Sequence, residues 1–452
     1  MLIPRLTALA LLPAAPTPAT CVPNTTSPAA LQAALDTGGA GFVLSLCPGE
    51  VYALTAPLQF AAPAQEISTA GYPLAGGRAV LRVVAGTTAV RGVRAGLDYA
   101  ALRHVAIDGG RGGQPAVVGG AAVEMGGDSA HHLVSHVRCF DPRAWSCIHV
   151  AEGALACRNA TVEHCDVGPC GGSAWGQWAD GISLACADSA VRFNTVTDAT
   201  DGGVVVFGAP GSVVENNTIT AATATMLGGI NLVDVVPWVP GNYSHTVVRD
   251  NAINGGFAGG GGDGTTPGLI KIGIAVGPRV WFGDKYAANV SRGGVVVGNT
   301  LRGAFAFGIA VGGAEDFVLA DNVLADVAFI GDAGPNCSTA PAPHPPTALL
   351  ADLPTLTNVT LTPEPNSSFV NGSAYALTCF TPPSGPVWPV GHGVPAVSPV
   401  DDPAASTVPP PSSNATATAH PSATPKSAAQ TSPHLRISAH LPALLLAALF
   451  IT

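Results

Sequence analysis

Apolar and polar positions along this chain follow a frame that recurs about every two dozen residues, not the 3.6-residue stripe of an amphipathic helix. VRFNTV from Val191, VENNTI from Val214, VRDNAI from Val248, VVGNTL from Val296 and LADNVL from Leu319 share one order: apolar, two variable residues, asparagine, one residue, apolar. The asparagines are Asn194, Asn217, Asn251, Asn299 and Asn322, and the first and last steps are 23 residues long. The longer steps contain visible insertions. LRHVAI, VSHVRC and VEHCDV fit the same frame earlier in the chain, with Val105, Val137 and Cys165 in the asparagine slot. A second column runs in parallel: CIHV from Cys147, GISL from Gly181, GVVV from Gly203, GINL from Gly229, and GIAV from both Gly273 and Gly308. Its apolar second residues, Ile148, Ile182, Val204, Ile230, Ile274 and Ile309, are expected to stack inward.

Strands this short cannot stand alone. Winding the units into a coil pairs each strand with the next turn at about 4.8 Å and buries the inward column. The asparagines then fall at a bend, where one amide can bond to the next and tie off turn backbone groups. A doubly wound fold needs helical stretches of about 10–15 residues between strands, and none is present. The pattern therefore predicts an all-β, right-handed parallel β-helix over residues 81–335. Residues 20–80 supply an N-terminal cap and the first strands, with PAALQAALD (28–36) as a helical cap over the open end of the coil.

Composition agrees. With 55 Gly and 40 Pro among 452 residues, the chain carries too many breakers for a helical protein. The net charge is −10 and no basic block occurs, which argues against a nucleic-acid partner. Residues 1–19 read as a secretory signal. Residues 336–380 form a C-terminal segment that Cys337 and Cys379 would close, and 381–440 form a disordered Pro/Ser/Thr-rich stalk. The apolar tail 441–452 is too short to span a bilayer and reads as a glycolipid-anchor signal. These features predict a secreted, cell-surface, anchored monomer that touches a membrane only through its lipid. Ten cysteines point to disulfides, with Cys157 and Cys186 paired because each ends an L-A-C segment in adjacent coils. Ten Asn-x-Ser/Thr sequons point to a glycoprotein: Asn24, Asn159, Asn216, Asn242, Asn289, Asn336, Asn358, Asn366, Asn371 and Asn414.

Candidate chemistry sits beside the second column. Asp180-Gly and Asp201-Gly lie 21 residues apart, one coil, so their carboxylates are expected roughly 5 Å apart, or more with an offset register, on the coil's outer surface. Paired acids at such a spacing suit glycosidic cleavage, one protonating the leaving oxygen and the other activating water or attacking. As plain turn dipeptides they need no function at all. His149, Asn231 and Lys271 are expected to face outward and contact substrate. The insertions carry Trp175, Trp178, Trp238 and Trp281, whose rings suit stacking on sugar faces or plugging of the coil's flank. A lyase would use Lys271, Arg279, Asp284 and Lys285 as base and cations, with Ca²⁺ as a supplement; hydrolysis calls for no cofactor. His104, His136 and His164 form one column that suits either a surface ladder or a metal.

At these residues the chain resembles polygalacturonases. Ala179-Asp180-Gly181-Ile182 looks like their Asn-Thr-Asp-Gly motif, and Thr200-Asp201-Gly202 is similar to their Asp-Asp motif with the second acid lost. Gly228-Gly229-Ile230 stands where their histidine motif falls, without histidine, and Leu269-Ile270-Lys271 echoes Arg-Ile-Lys without arginine. More broadly, DATDGGVVVFGAPGSVVENNTIT and KIGIAVGPRVWFG resemble fungal pectin-lyase-fold proteins, which are secreted β-helices. The resemblance implies a pectin-lyase-like solenoid with a polysaccharide partner. It leaves hydrolase, lyase, epimerase and a non-catalytic structural or adhesive wall protein open.

Overall fold

The computed structural model describes residues 21–172, 176–256, 269–283, 289–333, 344–374 and 380–381. The expected signal, the expected stalk beyond Thr381, the expected anchor segment and the expected Cys337–Cys379 pair lie outside the described residues.

The chain winds as a parallel β-helix with three faces. Face 1 runs from Val43–Leu46 through short strands such as Ala190–Arg192 and Val213–Glu215 to Leu356–Thr357. Face 2 includes Val105–Asp108, Thr195–Thr197, Thr218–Thr220 and Ala252–Asn254. Face 3 includes Ser146–Ala151, Asp180–Leu184, Gly202–Val206, Met226–Leu232 and Ile270–Val276. On each face a strand pairs in parallel with the strand one turn on. Helix α1 (Pro28–Gly38) caps the N-terminal end as expected. Ser27 accepts from the Ala30 N–H at 3.2 Å, proline opens the first turn, and Leu31 and Leu35 are buried.

Inside, Ile148, Ile182, Val204, Ile230, Ile274 and Ile309 stack in strict register and are buried. Each contributes roughly 1.5–3 kcal/mol of hydrophobic stabilisation.

The asparagines form a continuous ladder at the bend between faces 1 and 2. Each Nδ2 donates to the next Oδ1: Asn194 to Asn217, Asn217 to Asn251, Asn251 to Asn299 and Asn299 to Asn322, at 2.8–2.9 Å. Each of those Oδ1 atoms also accepts the backbone N–H of the preceding asparagine, at 3.0–3.1 Å. Nδ2 donates a second time to a carbonyl one turn back, as from Asn251 to Val214. One side chain thus serves the buried polar groups of two turns. The residue before each slot is left-handed, with φ of 53–55° at His104, His136, His164, Phe193, Asn216, Asp250 and Asp321. That conformation explains the Asn, Asp and His there.

The glycines of the second column have a separate cause. On face 3 two successive residues point inward, flanked by outward ones. A Cβ at Gly181, Gly203, Gly229, Gly273 or Gly308 would sit 2.4–2.7 Å from the carbonyl oxygen one turn on. Glycine keeps turns at strand-pairing distance while the chain makes this kink.

Cys157 and Cys186 are bonded, with Cα atoms 4.9 Å apart, as adjacent coils require. Cys21–Cys47 and Cys147–Cys170 are further disulfides. Cys139 and Cys165 depart from the expectation: both are free thiols buried in the coil, where they act as small apolar residues.

Asn251→Ala is expected to strand the Asn217 backbone N–H and to cost about 3 kcal/mol. The midpoint of chemical denaturation measures this, with Thr195→Ala, on an exposed position, as a control near zero.

Candidate functional site

Face 3 presents two outward rows. One runs Ser146, Asp180, Gly202, Gly228, Ile272, Phe307; the other His149, Ser183, Val205, Asn231, Ala275, Ala310. Asp180 opens its strand and aligns with Gly202, so Asp201, which directly precedes Gly202–Val206, is offset by one residue and aligns with Ala179. The backbone N–H of Asp201 donates to Ala179 O at 3.1 Å, which fixes the register between their turns.

A third acid joins them. Asp234 follows Met226–Leu232 by two residues, on an insertion. Its backbone N–H donates to the hydroxyl of the buried Tyr243 at 3.1 Å, and that hydroxyl lies 2.8 Å from Val206 O. Tyr243 thereby ties the insertion to the coil and fixes the backbone at Asp234.

Electrostatics bind the three together. Asp180, only 4% exposed, is held well above the usual carboxylate range, first by burial, then by the charge of Asp201 and more weakly by Asp234. The Ser183 hydroxyl at 2.8 Å and the Gly202 N–H oppose that rise. Burial pushes Asp201 up to about 6. Burial, followed by the charge of Asp201, pushes Asp234 up to about 7. Asp201 and Asp234 keep an edge in solvent, although their charges sit at a depth crowded by protein. Like charges in one poorly solvated site hold protons that isolated carboxylates would release.

The neighbours are mostly uncharged. Asn231 is 5% exposed, and its side chain lies over the glycine row. A Cβ at Gly202 would fall 3.0 Å from Asn231 Nδ2 and 3.5 Å from Asp180 Oδ1, so glycine there leaves room for both groups. The Trp281 indole N–H points at Asn231 Oδ1, 3.4 Å away. His149 is half-buried, lowered to about 4 by burial, and therefore neutral. Trp145 packs edge-on against it at 4.8 Å and against Phe207 at 6.3 Å, forming an aromatic wall.

Other expected site residues lie elsewhere. Lys271 falls in the register row of Asp201 and Leu227, not that of His149, and is fully buried, so it offers no surface to a substrate. Trp281 is 4% exposed rather than an open platform. It sits on the short helix α2 (Arg279–Phe282) in a second apolar cluster with Ile272, Ala275 and Phe307, against which Trp178 also packs. The outer surface of these turns is itself apolar and needs covering, which is why the rings turn inward. Trp238 is half-buried, donating to Ala185 O at 2.7 Å beneath the Arg158 guanidinium. Arg279 pairs with Asp352 at 3.2 Å, past the end of the face 3 strand. Trp175, Asp284 and Lys285 lie outside the described residues. His104, His136 and His164 are a ladder: their rings stack at 4.5 and 5.0 Å. Among the described residues no group of three or more His, Cys, Asp or Glu is arranged to hold a metal ion.

Asp234 could not be found from the repeat, because insertions fall outside any frame. The one signal was an acid in the insertion that follows the strand after Asp201.

No family model matches the chain, and no curated protein matches it. Among solved structures it is similar to an alginate lyase from Paenibacillus sp., at 15% identity and TM-score 0.49, over 67% of this chain and 95% of that one. It is also similar to a mannuronan C-5 epimerase A-module from Azotobacter vinelandii, at 14% and 0.46, over 76% and 95%. A third is DFA-IIIase from Arthrobacter chlorophenolicus A6 without its lid, at 13% and 0.43, over 77% and 92%. At such identities the likeness is one of fold and assigns no reaction or residue to this chain.

Raised carboxyl pKa values make these acids a cost to folding. A carboxyl whose folded pKa exceeds its unfolded value of about 4 leaves stability intact below that value and reduces it as pH rises toward the folded pKa. Asp234→Asn is therefore expected to raise stability at pH 8 by an amount on the order of 2 kcal/mol, seen as a higher thermal midpoint, and to leave it nearly unchanged at pH 3.5. Calorimetry at the two pH values checks this.

Proposed function

We propose that Asp201 and Asp234 form an acid–base pair that hydrolyses glycosidic bonds of an extracellular polysaccharide, with Asp180 beneath them as the buried third acid. The observation that carries this reading is that three acids on successive turns sit in poorly solvated places, and the charge of Asp201 raises the carboxyls of both Asp180 and Asp234. Between about pH 6 and 7, Asp234 holds a proton while Asp201 is ionised. Asp234 gives its proton to the leaving oxygen as the bond from the anomeric carbon breaks. Asp201 draws a proton from the water that adds to that carbon, or attacks it directly. Trp145 and Phe207 offer ring surface at the edge of the acids, and Asn231 a polar contact. The likeness of the Asp180 and Asp201 segments to polygalacturonase motifs supports a groove on this face. Its missing histidine and arginine leave galacturonan without support.

The terminal segments and sequons support a secreted, glycosylated protein held at the cell surface by a glycolipid and working on wall polysaccharide. The apolar covering of the later face 3 turns favours a second reading, in which the groove binds glycan without cleaving it.

Release of reducing ends from a panel of wall polysaccharides separates the two. The wild type is expected to give a bell-shaped pH profile bounded near 6 and 7, and Asp201→Asn or Asp234→Asn to lower the rate by a factor on the order of 10³. Binding retained by every variant, with no sugar released by the wild type, rejects hydrolysis in favour of binding.

A further inference from the structure

The column before the asparagine slot carries His104, His136, His164, Phe193, Asn216 and Asp250 on successive turns. Their left-handed backbone projects each side chain outward from the bend, one above another. Tyr72 meets His104 edge-on, the histidine rings stack, and the Phe193 ring lies 5.3 Å from His164 at an interplanar angle of 10°. There the aromatic run stops. One face of Phe193 rests on His164, and the ring is 47% exposed.

The next position up is Asn216. Arg192 pairs with Glu215, and Asn194 bonds Asn217, so Asn216 sits one turn above Phe193 in register. Asn216 is exposed and begins the sequon Asn216-Asn217-Thr218. Its neighbour Asn217 is locked in the buried ladder, which leaves Asn216 free to carry a bulky substituent at the surface.

We propose that Asn216 is N-glycosylated and that its first N-acetylglucosamine lies on the open face of Phe193, extending the stack by one sugar. A pyranose has an apolar face of C–H groups, and an aromatic ring presents a partly negative face to them. Bend and ladder preset the spacing between successive side chains, so little ordering entropy remains to be lost. The bend between faces 1 and 2 lies across the coil from face 3, which keeps this glycan out of the acid groove. The inference rests on the secreted location proposed above.

The test uses the full chain secreted from a yeast host, with glycopeptide mass spectrometry at each sequon and nuclear Overhauser contacts from the Phe193 ring. Asn216 is expected to be occupied, and Thr218→Ala to remove that one glycan. The first sugar's protons are expected to show contacts to Phe193 and ring-current shifts that vanish in Phe193→Ala. Enzymatic glycan removal is expected to lower the thermal midpoint by about 1–3 °C in the wild type and less in Phe193→Ala. Glycan at Asn24, Asn159, Asn358, Asn366 or Asn371 with none at Asn216 overturns the inference and leaves secretion standing. So does an occupied Asn216 without contacts to Phe193. No glycan at any sequon removes both.

Discussion

The structure depends on holding each turn at strand-pairing distance and in register with the next. Two devices at different corners impose this. At the bend between faces 1 and 2, every ladder asparagine after Asn194 accepts a backbone N–H and a side-chain N–H from the preceding turn. On face 3, glycines admit the next turn's carbonyl where a Cβ would collide with it. Because a one-residue slip would turn inward residues outward, register here also decides which polar groups meet outside. Asp180 and Asp201 are neighbours because their turns are adjacent and the two acids are offset by only one residue in register, Asp180 aligning with Gly202.

This also explains how much could be read from the sequence. The asparagine ladder, the inward isoleucines and valines, the capping helix and the Cys157–Cys186 bond all follow from repetition, since in a coil equal spacing along the chain means adjacency in space. The glycine column was visible, but its cause was not: the clash is with a backbone oxygen one turn away. Departures cluster where the frame is interrupted. Asp234 and its support Tyr243 belong to an insertion. Trp281 and Lys271 looked like surface residues because polar or aromatic loop residues usually are. The later turns of face 3 carry Ile272, Ala275 and Phe307 outward, and that second apolar layer draws both residues inside.

Three acids in one poorly solvated place work against folding. The rest of the coil tolerates them because each turn buries its own apolar column and passes its polar backbone groups to the next. A solenoid sums such terms along its axis, so one costly turn can be carried by its neighbours. Ser183, Asn231 and a neutral His149 add no charge of their own beside the cluster.

The most direct measurement is a carboxyl ¹³C titration of protein labelled at aspartate, with Asp180, Asp201 and Asp234 assigned from their asparagine variants. Mutual coupling predicts resonances that titrate near 6 and 7 for Asp201 and Asp234, well above the usual carboxylate range for Asp180, and that move when any one of the three is neutralised. Three independent curves with midpoints near 4 would contradict the account.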